Sequence, residues 1–134
     1  MRYLALCVVL ACAGLATPVN AADEEMTRLV TALCDFTKAN DRSNLRKKLT
    51  QAHIRLRQIY GGFYCEGVSL YRLAVKYNAN EAAEYIAGQL GAAGLSVPER
   101  DGKTCVDWVK EQVAADASKQ QFLDIINAAK EDDS

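Results

Sequence analysis

Apolar residues recur along most of this chain at the spacing of amphipathic helices. Leu29, Leu33 and Phe36 fall at i, i+4 and i+7, with Met26 and Val30 beside them. Asn40-Asp41 interrupts that stripe and can cap the next one, which runs through Leu45, Leu49 and Ala52. Leu70, Leu73, Ala74 and Tyr77 form a third stripe, punctuated by Asn78-Ala79-Asn80. Ala83, Ile86, Ala87 and Leu90 form a fourth, after which Gly91 to Lys103 reads as a Gly/Pro loop. Thr104 with Asp107 three residues on has capping-box spacing, and Val106, Val109 and Val113, with Trp108, line the helix it opens. Ser118 with Gln121 repeats that spacing before Phe122, Ile125, Ile126 and Ala129. Glu131 to Ser134 is an acidic tail, expected to be disordered. The pattern predicts an all-α domain of six helices in three stacked pairs, spanning residues 22–130.

The N-terminus follows a different pattern. Met1-Arg2-Tyr3 is short and positively charged, Leu4 to Leu15 is almost unbroken apolar sequence, and Val19-Asn20-Ala21 supplies small residues at positions −3 and −1 of a cleavage site. Residues 1–21 are therefore expected to be a cleavable signal peptide and the mature chain to be exported, periplasmic or secreted. A retained membrane anchor is the first alternative, opposed by a run shorter than the roughly 20 residues that span a bilayer. Lipoprotein processing before Cys12 is the second, opposed by the shortness of the segment preceding it. No second hydrophobic segment suggests a membrane span.

The predicted pairs repeat. Their second helices begin near Asp41, Asn80 and Ser118, 39 and 38 residues apart, and Gly67-x-Ser69 and Gly102-x-Thr104 open first helices 35 residues apart. Periods of this size mark stacked helical repeats. The stretch from Gly67 to Ile86 resembles an ankyrin repeat: a Gly-x-Ser turn, a short helix with Ala74 at the pattern's alanine, Asn78 where glycine is usual, then a second helix. Asp101-Gly102-Lys103-Thr104 repeats the opening turn. Leu70 and Cys105 stand in place of the pattern's proline, and Arg72 and Asp107 in place of its histidine. The resemblance implies a short ankyrin-like solenoid.

A second resemblance covers Leu33 to about Leu90. Cys34, Asn40-Asp41-Arg42, Leu45-Arg46-Lys47-x-Leu49, His53-x-Arg55-Leu56-Arg57-x-Ile59-Tyr60 and Cys65-x-Gly67-x-Ser69-Leu70 look like a family of small exported bacterial proteins, domain of unknown function 3718. It implies no activity, but it does imply that Cys34 and Cys65 belong together. Of the five cysteines, Cys7 and Cys12 lie in the signal, so Cys34, Cys65 and Cys105 remain in a compartment where disulfides persist. A Cys34–Cys65 disulfide is expected, with Cys105 as a packed thiol at a helix start.

Composition narrows the function. Without residues 1–21 the net charge is near −2, too even for a general nucleic-acid binder. His53 is the sole histidine, so His-rich metal sites are excluded, and a zinc set of Cys34, Cys65, Cys105 and His53 matches no known spacing. No paired acids, Cys-x-x-Cys or nucleophile motif stands out, so neither a cofactor nor catalysis is expected. The distinctive segment is basic: Arg42, Arg46, Lys47, Lys48, Arg55 and Arg57, followed by Tyr60, Gly61-Gly62, Phe63 and Tyr64. Residues 53–60 can run as an extended finger, since Ile54-Arg55-Leu56-Arg57 alternates, or Ala52, Leu56 and Ile59 can prolong the preceding helix. The ankyrin-like reading favours the finger. Arg and Tyr are enriched at binding hot spots, so Arg46, Arg55, Arg57, Tyr60 and Tyr64 are the candidate binding residues; a solvated helix face beside a packed aromatic loop is the bland alternative. The expected function is a non-enzymatic module that binds, and by binding could inhibit, another envelope protein. The competing readings are polyanion or anionic-surface binding through residues 42–57 and a small hydrolase using carboxylates.

Overall fold

The structure, a computed structural model, describes Gly14 and residues 21–132. The expected signal segment lies outside the described residues except for Gly14 and Ala21. The chain is all-α. The helices are α1 (Ala21–Lys38), α2 (Arg42–Ala52), α3 (Leu56–Ile59), α4 (Leu70–Lys76), α5 (Asn80–Leu95), α6 (Cys105–Ala115) and α7 (Gln120–Asp132). Short 3₁₀ turns at Tyr60–Gly62 and Ala117–Lys119 follow α3 and precede α7. Among the described residues no helix is long and apolar enough to cross a membrane.

Three helices stop in the same way because three residues tolerate the left-handed conformation. Asn40, His53 and Asn78 have φ of 55°, 54° and 55°. Each donates its N–H to the carbonyl three residues back, and its successor donates to the carbonyl five residues before itself: Asp41 to Phe36 (2.8 Å), Ile54 to Leu49 (3.2 Å) and Ala79 to Ala74 (2.8 Å). These are Schellman caps, which satisfy carbonyls that a helix end leaves open. The turns into α4 and α6 match too. Gly67 and Gly102 both sit at φ 80°, and two residues later Ser69 and Thr104 are extended at the helix caps.

The three expected pairs are present as α1/α2, α4/α5 and α6/α7, each packed against itself. First helices also touch first helices, α1 to α4 and α4 to α6, while second helices touch second helices, α2 to α5 and, over the widest contact, α5 to α7. The shared interior is apolar: Leu33, Leu45, Leu56, Leu70, Leu73, Ile86, Leu90, Phe122 and Ile126 are fully buried. Polar bonds stitch successive pairs. Asn40 Oδ1 accepts the Ala82 N–H (3.0 Å) at the start of α5, where Ala79 offers no capping side chain. In the next step Lys119 Nζ donates to the Val75 carbonyl (2.8 Å) and to Asn78 Oδ1 at the end of α4. The Tyr71 hydroxyl donates to the Phe122 carbonyl (2.6 Å), joining α4 to α7 through the core.

Several boundaries differ from the sequence reading. Helix resumes after Gly91, whose φ of 64° and ψ of −177° break α5 in two, and fully buried Leu95 holds the second stretch down. The loop therefore starts at Ser96 rather than Gly91. Asp116, rather than Ser118, caps the turn before α7: its side chain accepts from Ser118 N (3.0 Å) and Oγ (2.7 Å). Helix α7 continues to Asp132, so Glu131 and Asp132, expected in a tail, form its last turn. Residues 53–60 form neither a fully extended finger nor a prolongation of α2, which ends at Ala52 with left-handed His53. Arg55 is extended at φ −88° and ψ 131°, and Leu56 then starts the one-turn helix α3 because its side chain is buried against α5.

Cys34 and Cys65 form a disulfide, with Cα atoms 5.8 Å apart, that ties α1 to the tight hairpin before α4. In that hairpin Cys65 N donates to the Val68 carbonyl (2.8 Å) and Val68 N to the Cys65 carbonyl (3.0 Å), around left-handed Glu66 and Gly67. Cys105 is a buried free thiol. The crosslink closes a loop whose entropy in the unfolded chain is worth about 3–4 kcal/mol. The Cys34→Ser/Cys65→Ser double variant is therefore expected to lose stability of that order in urea titration. Alkylation of the denatured, unreduced chain from residue 22 on should modify one thiol, Cys105.

Candidate functional site

Helix α3 is positioned by two apolar residues. Leu56 is buried and Ile59 is half-buried against the core, while Arg55, Arg57 and Gln58 are exposed. The chain then passes through the Tyr60–Gly62 turn; Phe63 lies half-buried against the core, and half-buried Tyr64 faces the loop after α5. Between these walls runs a groove of about 720 Å³. Its floor is Leu90, Ala93 and Gly94 of α5; Arg57, Tyr60 and Tyr64 line one side, and Val97, Pro98 and Arg100 the other. The small floor residues keep it open. A Cβ at Gly94 would come within 3.0 Å of Leu90 Cβ, so this turn of α5 has no room for a side chain there without movement of its neighbour. The Arg100 guanidinium lies 3.6 Å from the centre of the Tyr64 ring, a cation–π contact that bridges the two walls.

The far wall is held from behind by Arg72. This arginine sits within Leu70–Lys76, a helix otherwise mostly apolar, and is only 7 % exposed. Its Nε pairs with Glu99 Oε2. Its two terminal nitrogens donate to Asp101 at 2.7 and 3.1 Å, and one of them also donates to the Lys103 carbonyl (3.3 Å). The guanidinium lies 5.0 Å from the centre of the Trp108 ring. One buried cation thus fixes both ends of the turn from Glu99 to Lys103, which is closed by Glu99 N to the Lys103 carbonyl (2.9 Å).

The electrostatics follow from this packing. Hydrogen bonds from Arg72 and from the Lys103 backbone hold the Asp101 carboxyl down to about 2. Burial pushes the Tyr60 phenol well above its ordinary range, with the Cys105 sulfur and the Glu99 carboxylate adding to the effect. That phenol donates to Glu99 Oε1 (3.2 Å) and accepts the Tyr71 N–H (3.4 Å). Burial likewise pushes up the Cys105 thiol, with Glu99 raising it further, so sulfur is kept as the unreactive thiol form. Among the described residues no group of three or more His, Cys, Asp or Glu side chains is placed to hold a metal ion.

Of the five residues singled out for binding, the fold gathers Arg57, Tyr60 and Tyr64 on the groove. Arg55 is exposed at the start of α3, its N–H bonded to Gln58 Oε1 (3.3 Å), and does not line it. Arg46 is exposed on α2, also outside the lining, and Arg42 on the same helix pairs with Glu84 (3.5 Å). Exposed His53 serves as the left-handed cap of α2. Four charged members of the site were not singled out from sequence: Arg100, which completes the cationic rim, Arg72, which anchors the wall, and its partners Glu99 and Asp101. Arg72 did carry a signal, being an arginine inside the apolar stripe of α4.

Two outcomes follow. Arg72→Leu should cost about 3–5 kcal/mol, because it leaves the Glu99 carboxylate buried without its cation. The Arg72→Leu/Glu99→Leu double variant should recover most of that loss in a denaturation cycle. In acid, the folded protein keeps Asp101 ionised between the ordinary value of 3.8 and about 2, while the unfolded chain takes up a proton. Stability then falls as pH drops through that window. Asp101→Asn should flatten this part of the curve of thermal midpoint against pH.

No match to a curated protein or to a solved structure reaches significance. Residues 33–99 do match a protein family, a span that takes in both disulfide cysteines, the floor of the groove, Arg72 and its buried partner Glu99. The chain belongs to the family described as Protein of unknown function (DUF3718).

Proposed function

We propose that the protein is an exported, non-enzymatic interaction module that docks a segment of another envelope protein in the groove between α3 and the loop after α5. The observation that carries this reading is the convergence of Arg57, Arg100, Tyr60 and Tyr64 on one groove whose walls are anchored from within. Arginines and tyrosines on a rigid frame are the usual material of binding hot spots, and the groove is of a size that takes a short chain segment or small ligand.

The titratable groups nearby are engaged in structure. Glu99 is taken up by Arg72 and Tyr60, Cys105 is buried, and exposed His53 caps α2 and does not line the groove. That supports recognition over catalysis. The paired packing, the matched turns at Gly67 and Gly102 and the bonds from Asn40 and Lys119 between pairs support an ankyrin-like solenoid, an architecture that presents binding surfaces without catalytic groups. The apolar run at residues 4–15 and the Cys34–Cys65 bond support export. Binding of polyanions along residues 42–57 is less well supported, since these cations divide between α2 and α3 and Arg42 is turned to Glu84.

A photo-crosslinking amino acid at Tyr64 of the full chain, activated in cells, tests the proposal. It should give a discrete protein adduct that the same group at exposed Gln121 does not give, and that Ala93→Trp abolishes by filling the groove. Equal adducts from both positions, or none from Tyr64, would refute it.

A further inference from the structure

We infer that the segment docked in this groove carries a carboxylate next to an apolar side chain, an acidic-hydrophobic peptide. The inference deepens the reading above and rests on it. It starts from the charges on the lining. Three charged residues contribute: Arg57, Arg100 and Glu99. The Glu99 carboxylate is spent inward, Oε2 on Arg72 and Oε1 on the Tyr60 hydroxyl. Arg57 and Arg100 make no ion pair among the described residues, although the chain carries as many acidic residues as it does. The groove therefore presents two cations with no counter-charge of its own.

The setting of Arg100 selects the kind of anion. Its guanidinium is stacked on Tyr64, which uses the face of the plane and restrains the side chain. Stacking leaves the in-plane N–H donors, whose fork matches a carboxylate. The same groove that the two arginines line is also lined by Leu90, Ala93 and Gly94 of α5 and by Tyr60. Such a floor gains by covering an apolar side chain and has little to offer a second charge. An anionic lipid surface fits less well. Val97 is the one large apolar side chain on the rim that is well exposed, at 61 %, too little for insertion into a bilayer.

Selection of random seven-residue peptides by phage display on the purified protein tests this. Peptides whose capture is blocked by Ala93→Trp should be enriched in Asp or Glu beside Leu, Ile or Phe. Their affinity should fall about tenfold or more in Arg57→Glu/Arg100→Glu and weaken with added salt. The reversed protein should itself select Lys or Arg in place of the acid. Both arginines are exposed, so Arg57→Gln/Arg100→Gln serves as a milder variant of the same test, with a smaller loss. Groove-directed peptides with no acidic enrichment, or with affinity untouched by the reversal, would overturn the inference while leaving groove docking intact. Failure to select any peptide that Ala93→Trp blocks would overturn both. Binding of the protein to phosphatidylglycerol vesicles, lost in the reversal, with no such peptide selected, would reassign the two arginines to a lipid headgroup.

Discussion

The buried guanidinium of Arg72 is the constraint around which the C-terminal half of the molecule is arranged. A cation in the interior is tolerable only when its charge and all its donors are met. Arg72 is met by the carboxylates of Glu99 and Asp101 and by the Lys103 carbonyl, all from one short turn. Satisfying the arginine and shaping the turn are thus the same event. That turn is at once the far wall of the groove and the approach to α6, so the position of the wall is set from the middle of the core. Trp108 and Cys105, at the start of α6, pack into the same cluster.

The rest of the fold shows how three short helix pairs hold one another. Burial comes from contact within each pair and from contact of first helices with first and second with second. Helix ends, which would otherwise leave backbone groups open, are closed across the joints. Asn40 does this for α5 from the preceding pair, and Lys119 does it for α4 from the following one. The disulfide adds a covalent link at the first joint, where the connection between α2 and α4 is longest and α3 supplies only a single turn. The loop that carries Tyr60 and Tyr64 is thereby held at both ends: by Leu56 in the core and by Cys65 on α1.

The groove itself depends on what is missing as much as on what is there. Gly91 breaks α5 and redirects its last turn, and Ala93 and Gly94 then present almost no side chain between the two walls. Larger residues at these places would fill the space that makes recognition possible. Aromatic rings and guanidinium groups on the walls supply contact area and charge, and Arg72 and the disulfide keep those walls from collapsing inward.

How much of this was legible in the chain differs from element to element. Amphipathic stripes, turn residues and their recurrence determined an all-helical architecture in three pairs, because a period of 3.6 residues and left-handed turns at Asn are local properties. Residues 53–60 were ambiguous, since the alternation of Ile54 to Arg57 and the helical spacing of Ala52, Leu56 and Ile59 are both present; the left-handed His53 ends α2, and burial of Leu56 against α5 makes a separate turn of helix that neither pattern alone specifies. The continuation of α5 past Gly91 was settled in the same way, by Leu95 finding a place in the core. For the candidate site, the basic and aromatic composition of residues 55–64 was visible. What the sequence could not say is that Arg57 lines the same groove as Arg100, more than forty positions away, or that Arg46 lies outside it. Local pattern determines which segments coil and where they stop. Only tertiary packing decides which distant side chains share a surface, because that depends on how helices stack and on which partner a buried charge finds.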